Sequence, residues 1–436
     1  MTSKGALRLG VAGLGTVGAG VATLLRANAD LIAARAGRPI EIVAVAARSR
    51  GRDRGVDLSG VRWVDDARAL AADPDVDVVV ELIGAAEGVA RDLVKAALEA
   101  GKPVVTANKA LVAVHGADLA RLSERAGVPL MFEAAVAGGI PVIKAVREGL
   151  AGDRLDWIGG ILNGTCNYIM TTMRESGRDF ADVLSEAQAL GYAEADPSTD
   201  VDGIDAAHKL AILAALAFGR PVDFGSVVVE GIRGIGALDL QFAARLGYRL
   251  KLLGVARRHA DGIETRVSPC LVPEGSQLAS VEGVFNAVLV EGAFVGRLML
   301  EGRGAGAGPT ASAVVADLVD VARGTAVPVW GASDTALSAS RSLPRESFVG
   351  AYYLRLLVRD QPGVIAEIAA ILRDEVVSVR SLLQHGRAAG TGQEAAVPLV
   401  IVTHETREAA ILAARTRISA LDVVLEEPTM LRIEAG

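Results

Sequence analysis

Short apolar runs alternate with longer segments of helical period through roughly the first third of the chain. "LRLGVAGLG" predicts a strand entering a glycine turn, and "VGAGVATLLRANADLIAARAG" predicts one continuous helix after it. "IEIVAVAAR", "DVDVVVELIG", "KPVVTA" and "PLMFEAAV" predict further strands, separated by helices over "GVARDLVKAALEAG" and "ADLARLSERAG". These strands are apolar almost without a break, as a strand must be when both faces of its sheet are covered. The expected fold class is therefore α/β: a doubly wound parallel sheet of Rossmann type, with ligands at the carboxyl ends of its strands.

Further along, the pattern changes. "LDWIGGILNG", "GIETRVSPCLV", "NAVLVEG" and "GRLMLEG" predict shorter strands, interspersed with helices such as "DGIDAAHKLAILAALAFG". This is the pattern of an inserted α+β domain over 146–304, where a substrate would be held. The helix over "PTASAVVADLVDVARG" (309–324) is expected to pack back on the first unit. That unit then comprises 1–145, completed by about 305–330. Polar "GASDTALSASRSLPRESFVG" (331–350) reads as a linker, and "AYYLRLLVRDQPGVIAEIAAILRDEVVSVRSLLQHG" opens a compact β-α-β module over 351–436.

Composition narrows the function. A chain of 436 residues suffices for two or three domains. A net charge of -7 and no basic stripe argue against a nucleic-acid partner. Cys166 and Cys270 have neither CxxC spacing nor disulfide density, which fits a reducing cytoplasm. The apolar start imitates a signal peptide, but its glycines sit at nucleotide-loop spacing. Elsewhere "LAILAALAFG" is too short to span a bilayer, so no membrane partner is expected.

Candidate chemistry concentrates in a few stretches. Gly13, Gly15 and Gly18 form "GLGTVG" between a strand and a helix. The first glycine permits the turn, the second lets backbone approach a pyrophosphate, and the third lets helix and strand pack closely. The second strand ends in "VAARSR", with Arg48 and Arg50 and no carboxylate before Asp53. Guanidinium groups there suit a 2′-phosphate, favouring NADP(H) over NAD(H) unless both are simply solvated. In "TANKALVA", Lys109 follows the strand end where a nicotinamide would lie, or else begins a helix in water. Asp205 and Lys209 are spaced i, i+4 in "DGIDAAHKL", as an ordinary helix ion pair or as a tuned proton donor. Two lysines in one dry cleft are expected to depress each other's pKa.

Glu194, Asp196 and Asp200 lie in the carboxylate-rich loop "GYAEADPSTD", where a substrate ammonium could be held or a turn merely capped. His208 and His115 read as structural. "EAAVAGGIP" places Glu133 beside a strand-end turn whose carbonyls suit a monovalent cation, or which is only a turn. "GRGAGAGPTASAV", containing Gly306, either closes over a cofactor or packs as a loop.

Taken in order, "GLGTVG", "VVVELIG", "TANKALVA", "FEAAVAGGIP", "ILNGTCNYIM", "LGYAEADPSTDVDGIDAAHKLAIL" and "GRGAGAGPTASAVVADL" resemble the homoserine dehydrogenases over residues 7 to 330. The tail "VRDQPGVIAEIAAIL" resembles an ACT domain, a ferredoxin-like small-molecule regulatory module. The resemblance implies NAD(P)-dependent interconversion of L-homoserine and L-aspartate 4-semialdehyde in threonine, methionine and isoleucine biosynthesis. It implies a homodimer or homotetramer built through the inserted domain, with threonine as the usual effector. Carried over, Gly13, Gly15, Thr16, Val17 and Gly18 match the cofactor loop, and Lys109 the lysine near nicotinamide and substrate. Lys209 matches the proton donor, Glu194 the carboxylate for the substrate amine, and Asp205 the residue orienting substrate or Lys209. Glu133, with the carbonyls of Val136, Gly138 and Ile140, matches a sodium site.

Two stretches depart from the pattern. "AAEGVA" follows "ELIG" in place of a glycine-and-proline version, and "LRDEVVSVRS" lacks the usual polar turn. Two other readings share the nucleotide fold. One is a non-catalytic nucleotide and amino-acid sensor; the other is an NADP-dependent oxidoreductase acting on a different amino-acid aldehyde.

Overall fold

The computed structural model describes residues 5–338, 340–384 and 396–434. The end of the expected second strand of the C-terminal module, His385 and Gly386, lies outside them. β1 (Leu7–Ala12), β2 (Ile40–Ala46), β3 (Arg62–Val64), β4 (Val78–Glu81), β5 (Val104–Thr106) and β6 (Leu130–Met131) form one parallel sheet in the order β3-β2-β1-β4-β5-β6. α1 (Thr16–Ala27), α2 (Ala29–Ala36), α3 (Ala69–Ala72), α4 (Val89–Glu99) and α5 (Lys109–Ala126) connect its strands. Leu9, Val11, Val45 and Val78–Val80 are fully buried, which is why these strands carry no alternation. Strand order reverses between β1 and β4, and such a switch point opens a crevice at the carboxyl ends.

The helix Ala307–Arg323 packs on α1: a Cβ on Gly20 would lie 2.7 Å from the Ala307 carbonyl, and Arg323 Nε donates to the Arg35 carbonyl at 2.8 Å. Val21 and Leu25 share one apolar cluster with Ala311, Val314 and Leu318.

A second, mixed sheet runs through the rest of the chain. Strands Leu155–Ile161, Tyr248–His259, Gly262–Pro273, Phe285–Gly292 and Gly296–Arg303 pair antiparallel. The helix Ile204–Phe218, apolar on nearly all sides, lies between this sheet and α5. The sheet does not stop there. Strand Thr429–Ile433 pairs parallel with Gly262–Pro273, and Val349–Arg359, Ala396–Thr403 and Val379–Gln384 follow in that spatial order. With helices Val364–Asp374 and Glu408–Ser419, the last part of the chain is a β-α-β-β-α-β unit joined edge to edge to the middle sheet. Ion pairs cross the joint: buried Arg266, which also bonds Glu264 of its own strand at 2.8 Å, bonds Glu434, and Arg432 bonds Glu230 at 2.7 Å.

Four local expectations change. The helix expected after the glycine loop is two helices bent by 84° at Asn28. "RWV" forms a strand beside β2 that is too short to leave a pattern. "YRLKLLGVARRH" is a strand hidden by its lysine and arginines; Lys251 is buried and its Nζ donates to the Val281 carbonyl at 2.5 Å. "PLMFEAAV" pairs only through Leu130 and Met131, because the Glu133 amide turns away to the Asp317 carboxylate at 2.8 Å. The segment 331–350 lies against the middle of the chain: Ser338 N bonds the Gly219 carbonyl at 2.7 Å and Leu343 N the Ile263 carbonyl at 2.9 Å. Among the described residues, no single helix is long and apolar enough to cross a membrane.

Ala85 has φ 70, a left-handed conformation that costs an alanine roughly 1–2 kcal/mol and glycine almost nothing. Ala85→Gly is therefore expected to stabilise the protein by about 0.5–1 kcal/mol net of glycine's greater unfolded-state freedom. A thermal midpoint that stays level or falls would contradict this.

Candidate active site

Three loops meet in the crevice. The first follows β1: Gly13 has φ 101, and a Cβ there would lie 2.5 Å from the Leu82 carbonyl. A Cβ on Gly18 would strike the Gly13 carbonyl at 2.1 Å, whereas one on Gly15 would meet nothing within 4 Å. Gly15 is also the N-cap of α1 and offers no side chain to its free amides. The loop is thus closed behind Gly13 and Gly18 and open at Gly15 and Thr16, where the helix amides favour an anion. Such a cradle fits a dinucleotide pyrophosphate.

Arg48 and Arg50 are exposed after β2, beside that loop. Arg50 is partly committed: it donates to the Trp63 carbonyl at 3.1 Å and pairs with Asp65 at 3.2 Å. Arg54 ties this segment to the glycine loop, donating to the Leu14 carbonyl at 3.0 Å with its guanidinium over the Trp63 ring.

The second and third loops bring the lysines together. Lys109 is the first residue of α5, set there by Asn108, whose Oδ1 accepts from Leu111 N at 3.0 Å. Asp205 and Lys209 stand one turn apart on Ile204–Phe218. Asp205 lies between the two lysines: Oδ1 is 3.1 Å from Lys109 Nζ, and Oδ2 accepts from Lys209 Nζ at 2.7 Å. Lys209 also donates to the Leu162 carbonyl at 2.7 Å. The side chains of Asp205 and Lys209 are 7% and 10% exposed, against 39% for Lys109, so Lys109 is the open end of the cluster.

The electrostatics differ from expectation. Lys109 is not depressed by the neighbouring lysine, because the Asp205 carboxylate lies between them. Asp205 raises the Lys109 pKa and more than offsets the effect of desolvation. Burial alone would push the Asp205 carboxyl up, but Lys209 and Lys109 together hold it well below the usual range. Asp200 is raised, first by burial and then by the facing Asp205 charge.

Asn163, in the stretch "ILNGTCNYIM", is a member of the centre that the sequence pattern does not single out. Its Nδ2 donates to both Asp200 Oδ1 at 2.7 Å and Asp205 Oδ2 at 2.9 Å, while its Oδ1 caps the helix Gly164–Ser176. The available signal was an asparagine at a strand–helix turn. Glu194 is exposed on the nearby loop, on a side that adds to the potential raising Lys109. Asp196 caps its own turn through Ser198 N at 3.1 Å. His208 faces away from Lys209 and stacks on Phe224 at 4.4 Å, and burial lowers its pKa. His115 bonds Glu87 at 2.6 Å.

At the turn after β6, both Glu133 carboxylate oxygens accept backbone amides, from Ile143 and Lys144 at 2.9 Å each. Burial, with Asp317 close by, pushes the Glu133 carboxyl up to about 7. Ala137 and Gly138 have φ 55 and 51, so successive carbonyls turn through this segment, although the Ile140 carbonyl already accepts from Val142 N at 2.7 Å. The glycine loop before Ala307–Arg323 seats on the same turn: a Cβ on Gly138 would lie 2.5 Å from the Gly304 carbonyl. Gly306 caps that helix with φ 114.

The comparisons with known proteins agree with one another. Residues 13–133 match the family model described as "Homoserine dehydrogenase, NAD binding domain", and residues 141–319 match that described as "Homoserine dehydrogenase". The chain is 48% identical to the homoserine dehydrogenase of Pseudomonas aeruginosa over 434 residues, covering 98% of this chain and 99% of the relative. Against a solved homoserine dehydrogenase of Thiobacillus denitrificans it has a TM-score of 0.93 at 46% identity, covering 99% and 98% of the two chains. A hyperthermophilic archaeal homoserine dehydrogenase solved in complex with NADPH matches 74% of this chain and 99% of its own, with a TM-score of 0.63 at 26% identity.

Proposed function

The chain belongs to the homoserine dehydrogenase family, an oxidoreductase family with an NAD-binding domain, and from that premise we propose how its residues divide the work. The observation that carries the reading is the Asp205 carboxylate held between Lys109 and Lys209 at the mouth of the nucleotide crevice. L-Homoserine is oxidised to L-aspartate 4-semialdehyde, with the reverse direction serving threonine, methionine and isoleucine biosynthesis. A nicotinamide cofactor held by the glycine loop and beside Lys109 would supply the hydride chemistry at the carbinol carbon. The protein's part is to hold the reacting groups and move the hydroxyl proton.

In this reading Lys209 exchanges that proton. Two of its three donor positions are occupied by Asp205 and the Leu162 carbonyl, leaving one for the substrate oxygen. Lys109, more exposed and kept protonated by Asp205, supplies the positive charge that a developing alkoxide needs. Asp205 orients both lysines, and the Glu194 carboxylate receives the substrate ammonium. Gly13, Gly15, Thr16, Val17 and Gly18 hold the pyrophosphate, with Gly306 at the loop that borders it. The turn of Glu133, Val136, Gly138 and Ile140 is the candidate sodium site; its turned carbonyls support the assignment, though the amides on the Glu133 carboxylate leave that group fewer free lone pairs.

Arg48 reads as the partner of a 2′-phosphate, making NADP(H) the preferred cofactor and NAD(H) the weaker one. Arg48→Ala is expected to weaken NADP tenfold or more, roughly the worth of one charge-assisted hydrogen bond, with little effect on NAD. Equal losses for the two cofactors would refute the assignment.

The division of the chain follows: 1–145 with 305–330 binds the nucleotide, 146–304 holds substrate and supports a homodimer or homotetramer, and 351–436 is an ACT-like regulatory module. Its edge-to-edge joining with the middle sheet, and a cavity of about 680 Å³ at the joint lined by Tyr248, Arg380 and His404, support a small-molecule effector such as threonine. The cytoplasm is the matching compartment. The reaction is tested by following NADPH consumption with L-aspartate 4-semialdehyde, with and without L-threonine. Absence of turnover by folded protein would favour the sensor reading or another aldehyde substrate.

A further inference from the structure

Glu81, the last residue of β4, is fully buried at the carboxyl end of a strand where every other residue is apolar. A carboxylate is costly to bury unless donors surround it. Here three do: Oε1 accepts from Ile83 N at 2.7 Å and Gly84 N at 3.1 Å, and Oε2 accepts from Thr106 Oγ1 at 2.6 Å. The first two bonds fold the segment 82–84 around the carboxylate. That segment is the floor of the phosphate loop, since the Leu82 carbonyl is the atom a Cβ on Gly13 would strike.

The third bond leads to the lysine. Thr106 Oγ1 accepts from Asn108 N at 3.0 Å, Asn108 caps the helix that Lys109 begins, and Asn108 Nδ2 returns to the Ala85 carbonyl at 2.7 Å. The circuit Glu81–Thr106–Asn108–Ala85 closes on itself and joins the β4 and β5 loops below the crevice. The geometry assigns Glu81 as a positioning residue that fixes the floor of the cofactor loop and the origin of Lys109 through one carboxylate. The assignment rests on the proposed homoserine oxidation, with Lys109 in its site, and adds a residue to it.

Glutamine is the discriminating substitution, because it keeps the size and breaks the pattern. Glu81 must accept at both ends, and glutamine presents a donor at one of them. Either the amides of Ile83 and Gly84 face an NH₂ group, or the Thr106 hydroxyl loses its acceptor. Displacing reacting groups by about 1 Å can cost a hundredfold in rate. Glu81→Gln is therefore expected to lower kcat for L-homoserine by roughly ten- to a hundredfold and to raise the Kd of NADPH several-fold, since lysine and loop move together.

Thr106→Val and Thr106→Ser give a second route should Glu81→Gln fold poorly. The serine variant keeps the hydroxyl and should stay near wild type, while the valine variant should follow Glu81→Gln in kcat. A merely structural role would lower the thermal midpoint and leave kcat per folded enzyme and NADPH affinity unchanged. That result in Glu81→Gln, or a serine variant as impaired as the valine, would overturn the assignment. If the wild type itself does not oxidise homoserine, the reaction is wrong but NADPH titration still decides: an unchanged Kd in Glu81→Gln overturns the role, and a raised one supports it.

Discussion

Lys209→Ala is expected to lower kcat for L-homoserine by at least about a hundredfold, the low end for loss of a general acid or base. The lysine is buried, and its ammonium is aimed by two bonds of 2.7 Å, to Asp205 and to the Leu162 carbonyl. An alanine leaves no group there to take the hydroxyl proton, while the glycine loop and Arg48 remain in place. NADPH should therefore bind the variant with nearly wild-type affinity. Lys209→Arg sharpens the test: arginine keeps the charge but does not give up its proton at working pH, so it too should be slow. An arginine variant with most of the wild-type rate would mean that Lys209 acts only as a fixed charge.

The second large effect is expected of Asp205→Asn, which keeps the shape and removes the charge. Lys209 then stays buried beside Lys109 with no carboxylate between them. Breaking a buried pair by removing one partner typically costs 3–5 kcal/mol, and about 3 kcal/mol is expected here because Lys109 is partly in water. The Lys109 pKa should fall, because Asp205 is the main cause holding it up. The expected result is a kcat reduced about a hundredfold, with the alkaline limb of the pH–rate profile moved to lower pH. Asp205 also shapes stability in acid. Its carboxyl is held below the ordinary range, so its contribution is complete above about pH 4 and is lost as the pH falls through the depressed value. Asp205→Asn should lack that part of the acid loss. Full activity with an unmoved profile would remove Asp205 from the centre.

Much of this arrangement was legible because local signals carried it. Runs such as Val78–Val80 show their burial on both faces directly, and glycines at 13, 15 and 18 have their own steric reasons. The pairing of Asp205 with Lys209 follows from helical spacing alone. What stayed hidden depends on distant partners. Lys251 looks like a surface residue until the Val281 carbonyl and Asn167 are folded around it, so its strand went unrecognised. The junction between Leu271 and Ile433 has no periodic signature, because each strand by itself is an ordinary one. The direction of the Lys109 shift depends on a distant partner in the same way. Sequence places two lysines near one cleft, but only the fold puts a carboxylate between them. Glu81 left a signal that could have been used: a carboxylate closing an apolar strand has to find donors.

The most direct test of the central claim is the initial rate of L-homoserine oxidation with NADP, wild type beside Lys209→Ala, in protein shown by NADPH titration to be folded and loaded. The account predicts steady NADPH production by the wild type and a loss of at least about a hundredfold in the variant at unchanged NADPH affinity. Equal rates in the two proteins, or no turnover in a wild type that binds NADPH, would contradict it.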